Sequence, residues 1–432
     1  MPGADQQEAG EGPATRSPPN EVRALSALAF AELSRFPGAI GEMHLGIAER
    51  AFDGVGPAAS PVKAIHDTLS RRTYAALGAS ATMLGRAADS AIERGAFGER
   101  RALSSTRPGS TLIGVLDGLL GDRLERDGSD LHQPPSLRRH GAQVELEERS
   151  LREAFPAAST HIVVFLHGLM ETELAWWWGA RDRAVAEDRV AVAEEPGDDY
   201  GARLERDLGA SSLYLRYNSG LHISESGRAI AALLERLVRE WPTDVRQIAL
   251  VGHSMGGLVA RSACHQACEQ DQQWVRRVRH VVSLGSPHLG APLAQGAHVA
   301  AAALYKLPET RMLSQLLRRR SAGIRDLRHG SLVDEDWRGR DPHGLRAAAC
   351  REVPLLPWAT HCFVSATVTR DAGHPLGRLL GDMLVLAPSA SGRGRTRRIP
   401  FDAAHGHHQG GAHHFTLLSH PQVYERLRGW LD

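Results

Sequence analysis

The 432-residue sequence is short of several things, and each shortage excludes a class of protein. Its four cysteines, Cys264, Cys268, Cys350 and Cys362, are too few and too scattered for a disulfide framework. Cys264 and Cys268, four apart, read as a buried thiol pair rather than a metal site, and a reducing cytoplasm is expected. Net charge is almost absent, with 51 basic against 50 acidic side chains, so no global field points to nucleic acid. No uninterrupted apolar run approaches the roughly 20 residues that cross a bilayer. The first 20 residues are polar and acidic, without the basic start and apolar core of a Sec signal, and are expected to be a disordered tail.

What is present is organised around Ile248–Val259, IALVGHSMGGLV. An apolar run meets Gly252-His253-Ser254-Met255-Gly256, and an apolar-periodic segment follows. This is a strand, a sharp turn and a helix. The Gly-x-Ser-x-Gly spacing has a steric cause, because the residues two before and two after the serine pack too closely for a β-carbon. Ser254 is therefore the expected nucleophile.

Around it runs the rhythm of a parallel sheet. Buried-type strands are expected at His161–Leu166, Ser212–Arg216, Ile248–Val251, His280–Leu284 and Cys362–Thr367, with a last strand at Arg397–Phe401. Helices are expected at Tyr200–Leu208, Glu225–Glu240 and Leu258–Glu269, with a terminal helix through Trp430. Strands alternating with helices imply crossovers and a sheet covered on both faces, with chemistry at the carboxyl ends of the strands. Before the sheet, residues 21–101 carry apolar residues three and four apart and much alanine. They read as three or four amphipathic helices that cap the catalytic region rather than bind lipid. Ser104–Arg139 reads as a connector with one short helix, and Ala142–Glu147 alternates like an exposed strand. The expected organisation is a tail (1–20), a mainly helical region (21–140) and a catalytic domain (141–432).

The candidate site follows from position. His167-Gly168-Leu169 ends the first strand. The N–H groups of Leu169 and Met255 would form an oxyanion hole, donors held where charge develops in the transition state. Among the crowd of C-terminal histidines, His414 opens the apolar segment that would pin a loop against the sheet; His413 is second. The Gly- and His-rich tract HGHHQGG reads as a flexible loop, with no metal expected. The orienting acid should follow the fifth strand, where both Asp371 and Asp382 qualify. Trp176, Trp177 and Trp178 suit an acyl pocket or membrane-facing rim and a cap interface equally well. His167, Trp176 and Trp177 join the expected substrate contacts. An insertion at about 286–358 carries a stripe, Met312, Leu313, Leu316 and Leu317, closed by Arg318-Arg319-Arg320. It is expected to be a lid, with Leu316 and Leu317 over the substrate. Arg393–Arg398 reads as a solvated loop.

HGL, YNSGLHISESG, GHSMGGLVAR, GSPHLGAP, GDMLV…SA and HHFTLLSHPQVY together resemble bacterial α/β-hydrolases of the lipase and GPI-inositol-deacylase-like group, over about His161 to Asp432. The resemblance implies an α/β-hydrolase fold: a mostly parallel sheet covered by helices, here with a helical N-terminal extension and a lid. It implies a serine hydrolase that cleaves carboxylic esters; a lipid-like ester substrate, no cofactor and room for peripheral membrane contact are the expectations added to it. Acyl transfer by the same triad, or lipid binding with a vestigial site, are the alternatives. The group's acid lies in a Gly-Asp-x-x-Val setting with Ser-Ala after it, and its histidine in His-Phe-x-Leu-Leu. These select Asp382 and His414, although Asp382 lies further beyond its strand than a tight turn would place it.

Overall fold

The computed structural model describes residues 21–31, 102–177, 199–291, 320–341, 350–394 and 397–432, with single positions scattered between 45 and 90. The polar tail, most of the N-terminal helical region, and the stripe Met312 to Leu317 with Arg318 and Arg319 lie outside these.

Eight strands form one sheet in the order β2-β1-β4-β3-β5-β6-β7-β8. They are β1 (Ser136–Arg139), β2 (Ala142–Val144), β3 (His161–Leu166), β4 (Ser211–Arg216), β5 (Gln247–His253), β6 (Val278–Leu284), β7 (Thr360–Thr367) and β8 (Gly406–Gly410). From β4 to β8 every pairing is parallel. β1 runs antiparallel to both β2 and β4, so an edge hairpin precedes the parallel part. The sheet thus begins at Ser136, a few residues before the expected start of the catalytic domain at 141.

Helices around the sheet include α1 (Arg107–Arg126), α2 (Tyr200–Leu208), α3 (Ile223–Glu240), α4 (Met255–Glu269), α5 (Pro375–Leu380) and α6 (Pro421–Leu431), with a further short helix at Glu148–Ala154. Alternation along the strands loads both faces of the sheet. Ile162, Val164, Leu166, Ile248 and Leu250 pack towards α3 and α4, among Leu234, Leu237, Leu258 and Val259. Val163, Phe165, Ala249 and Val251 face the other side, with Leu204 of α2 and Val423 and Leu427 of α6. Burial on both faces is what continuous apolar strands require. Each such side chain contributes about 1.5–3 kcal/mol.

Two expectations are corrected here. The connector holds a 20-residue helix, α1, not a short one. Thr106 caps it by accepting the Gly109 N–H at 3.2 Å. Ile113 and Leu124 pack with Leu25 and Leu28 of the helical segment 21–31, whose Glu21 accepts from Ser104 N and Oγ at 2.9 and 2.6 Å. The last strand is Gly406–Gly410, inside the tract read as a loop, and not Arg397–Phe401, where only an isolated bridge from Arg398 to Arg393 forms. An edge strand with no apolar residue takes its order from the ladder to β7. His408 completes it, its ring nitrogens meeting Ser365 and Thr367 hydroxyls at 3.0 and 3.1 Å.

One described part of the insertion, residues 320–341, is fastened down. Ser321 Oγ donates to Gly118 O of α1 at 2.6 Å, Ser262 Oγ to Leu332 O at 2.7 Å, and Asp326 accepts from Ile223 N at 2.9 Å. This portion behaves as a buttress across α1, α3 and α4.

Candidate active site

β5 delivers Ser254 into a turn with φ 52° and ψ −122°, a region that costs a non-glycine residue of order 1–3 kcal/mol. The turn is held because Ser254 N donates to Leu284 O on β6 at 2.8 Å. Close approach explains the flanking glycine: a β-carbon on Gly256 would sit 2.4 Å from Leu166 O, the end of β3. Met255 opens α4 directly afterwards and is buried.

His414 follows β8 and is buried, as is Asp382. His414 Nδ1 meets Asp382 Oδ2 at 2.7 Å, and His414 N donates to Asp382 O at 2.9 Å. The other carboxylate oxygen of Asp382 accepts from Leu384 N and Val385 N at 3.0 and 2.7 Å. Among the described residues His414 Nε2 has no hydrogen-bond partner. Such a carboxylate fixes the imidazole tautomer, leaving Nε2 as the atom able to take a proton. The long spacing from β7 to Asp382 also has a cause. The chain makes an excursion through α5 and returns, with Val368 N donating to Gly381 O at 2.9 Å. Asp371, the second choice, is exposed and accepts from Gly373 N at 2.8 Å. His413, likewise second, is exposed.

The loop after β3 lies against the serine. From the place of a β-carbon on Gly168, Ser254 Cβ is 3.0 Å away and Glu171 Oε2 is 2.9 Å away. Gly168 N donates to Glu171 Oε2 at 2.6 Å and Met170 N to Ser219 Oγ at 3.1 Å. The Leu169 N–H lies between these two engaged donors. Glu171 also meets His253 Nδ1 at 3.1 Å, and His253 Nε2 meets His414 O at 3.3 Å. Neither residue was singled out from the sequence. The available signal was two glutamates, Glu171 and Glu173, directly after a buried strand. Glu173 is buried too, paired with Arg216 at 2.6 Å.

Residues 223–339, well under half of the chain, match a family model described as a PGAP1-like alpha/beta domain. The match falls on the segment that carries the serine at its strand–helix elbow, within a mostly parallel eight-stranded sheet. The chain carries an α/β-hydrolase fold, and within it residues 223–339 are similar to the PGAP1-like domain. Similar solved structures include a lipase of Bacillus licheniformis in mature form, 17% identical, covering 63% of this chain and 91% of that one at a TM-score of 0.39. A Pyrobaculum calidifontis esterase is 15% identical, with 63% and 76% covered and a TM-score of 0.34. EstA from Clostridium botulinum is 11% identical, with 63% and 87% covered and a TM-score of 0.38. At these values the likenesses carry no argument about activity. No curated protein matches the chain.

Within this α/β-hydrolase the expected substrate contacts divide. His167 is fully buried, its Nδ1 is 2.9 Å from Gly168 O, and its Nε2 accepts from Tyr217 N at 3.3 Å. Both nitrogens serve backbone groups, so the ring shapes the loop. Trp176 is likewise buried, edge-on against Phe165 with centroids 4.9 Å apart. Trp177 is half-buried and its Nε1 donates to Asp199 at 3.0 Å. Leu316 and Leu317 lie outside the described residues. Among the described residues no group of His, Cys, Asp or Glu is placed to hold a metal, and no helix is long and apolar enough to cross a membrane.

Proposed function

We propose that the protein hydrolyses carboxylic esters through an acyl-enzyme on Ser254. His414 Nε2 takes the Ser254 proton as Oγ attacks the acyl carbon, then returns it to the leaving alcohol. A water, activated by the same nitrogen, releases the acid. Asp382 holds His414 in the tautomer with Nε2 free and stabilises its cationic form. The N–H groups of Leu169 and Met255 receive the oxyanion. The chemistry calls on no cofactor. The observation that carries the reading is the buried Asp382–His414 contact of 2.7 Å, with Nε2 left without a partner, beside a serine in a strained elbow.

A lipid-like ester is favoured by the surroundings. Leu376, Leu379 and Leu380 on α5, with Met383 and Phe415, are large exposed apolar side chains flanking Asp382 and His414 in sequence. The test is fluorophosphonate labelling with the adduct mapped, beside turnover of an ester series. Labelling at Ser254, abolished together with turnover in Ser254→Ala, is the expected result. Labelling elsewhere, or none in folded protein, overturns the reading. Products recovered as new esters when alcohols are added would make it an acyltransferase.

A further inference from the structure

We infer that Glu171 and His253 form a charge-compensated positioning pair that sets the oxyanion loop against Ser254 and cancels a negative charge beside the developing oxyanion. The inference rests on the reading of Ser254 as nucleophile.

The geometry fits a charged pair. His253 Nδ1 faces the Glu171 carboxylate and Nε2 faces the His414 carbonyl, at 3.1 and 3.3 Å. An ionised Glu171 carboxylate and the His414 carbonyl only accept, so beside them both ring nitrogens carry hydrogens and the ring is an imidazolium. Burial opposes a charge on this ring, yet the Glu171 carboxylate raises its pKa above the ordinary histidine value. Burial also opposes the charge on Glu171. His253, with the Gly168 N–H, nonetheless holds the carboxyl below its usual range. The other charged or titratable groups near His253 are Asp382 and the His414 ring, whose centroid is 4.7 Å away.

The position gives the pair its consequence. Through the vacant β-carbon site of Gly168, the Glu171 carboxylate lies within about 6 Å of Ser254 Cβ, a range in which one charge strongly biases another in a buried site. The oxyanion would form between Leu169 N–H, next to Gly168, and Met255 N–H, next to Ser254. A lone carboxylate there would oppose catalysis. With the imidazolium beside it, the same carboxylate can hold the Gly168 N–H, while His253 holds the carbonyl of His414. One neutral pair thereby ties together the oxyanion loop, the elbow and the base.

The test is a cycle of Glu171→Gln, His253→Asn and the double variant, read as kcat, KM, rate of fluorophosphonate labelling and thermal unfolding. His253→Asn leaves the carboxylate uncompensated, and kcat should fall about 10²–10³-fold, the scale of a lost oxyanion donor. KM should change little. Glu171→Gln keeps an oxygen for Gly168 N–H and should lose about tenfold, a weakening of donors rather than loss of one. The double variant should be faster than His253→Asn alone. That recovery belongs to charge compensation and not to a packing role. Losses that multiply in the double variant, or a rise in KM with kcat unchanged, overturn the inference while leaving a labelled wild type intact. A wild type that is neither labelled nor active removes the functional reading, and this inference with it. Should His253→Asn not fold, Glu171→Gln decides: an unchanged kcat overturns the inference.

Discussion

Two acid–imidazole pairs meet beside Ser254, and their rings lie 4.7 Å apart. Asp382 with His414 and Glu171 with His253 have similar reach, 2.7 and 3.1 Å, and all four side chains are buried. They differ at the far nitrogen. His414 Nε2 has no partner, whereas His253 Nε2 is spent on the His414 carbonyl. An imidazole with a free nitrogen can accept and return a proton. One with both nitrogens on acceptors holds its charge and fixes geometry. On the proposed mechanism, proximity to Ser254 therefore does not pick out the base; the vacant nitrogen does.

The largest expected effect breaks the first pair. In Asp382→Asn the side-chain oxygen can keep the Leu384 and Val385 N–H groups, which turns the amide nitrogen towards His414 Nδ1. Nδ1 must then accept, so the proton moves to Nε2, and the base is lost without loss of shape. A fall of about 10⁴-fold in kcat is expected for the wrong tautomer. Asp371→Asn, on an exposed turn, should turn over an activated ester normally. A crippled Asp371→Asn beside a healthy Asp382→Asn would reverse the assignment.

The legibility of the chain follows the same division. The strands β3 to β7 and the elbow were readable because apolar runs and glycine spacing act locally. The pairing of Asp382 with His414 was reachable only through the family resemblance, since the residues alone left Asp371 open. β8 was not readable: GHHQG has no apolar pattern, and its strand state comes from β7 beside it. α1 was obscured by its many glycines, which weaken helix propensity while tertiary packing overrides it. Glu171 and His253 were hidden for another reason. A buried carboxylate looks like a surface one until its partner, 82 residues away, is seen. In the motif GHSMG the histidine stands at a position the spacing rule leaves free.

A smaller effect sharpens the comparison at the loop the second pair holds. A methyl group at Gly168 would meet Ser254 Cβ at 3.0 Å and Glu171 Oε2 at 2.9 Å. Something must give, and the displaced parts are the loop after β3, the proposed oxyanion loop, and the serine. Gly168→Ala should lower kcat by about 10–10²-fold, a weakening rather than full loss of a donor. Melting temperature should hold within a few degrees. The Asp382–His414 pair is left intact, so the pH profile of kcat should keep its shape. An unchanged kcat would show that the loop moves freely and that its position does not matter.

The smallest expected effect separates the pairs by stability rather than rate. The folded-state pKa of Glu171 is depressed, its burial outweighed by His253 and the Gly168 N–H, so its contribution is present above the unfolded carboxylate value of roughly 4.5 and is lost as pH falls through the folded value. His253 is raised by Glu171 despite burial, so its contribution is present below roughly 6.5 and is lost as pH rises through its folded value. The pair therefore stabilises the fold most between about pH 4.5 and 6.5. Other buried histidines act in the opposite sense. Burial pushes His288 well below the ordinary value and His361 down to about 4, so their neutral forms support the fold above about pH 6.5 and cost stability in acid. Wild-type stability as a whole should thus decline from pH 6.5 towards 4, with each unmatched proton tilting it by about 1.4 kcal/mol per pH unit. The difference between wild type and the Glu171→Gln/His253→Asn double variant should run the other way on the alkaline side. It should be greatest near pH 5.5 and shrink as His253 loses its proton. Denaturant unfolding of both proteins at pH 5.5, 7 and 8.5 measures it. A difference that widens from pH 5.5 to 8.5 would mean that His253 is held neutral, and the second pair would then be a hydrogen bond without compensated charge.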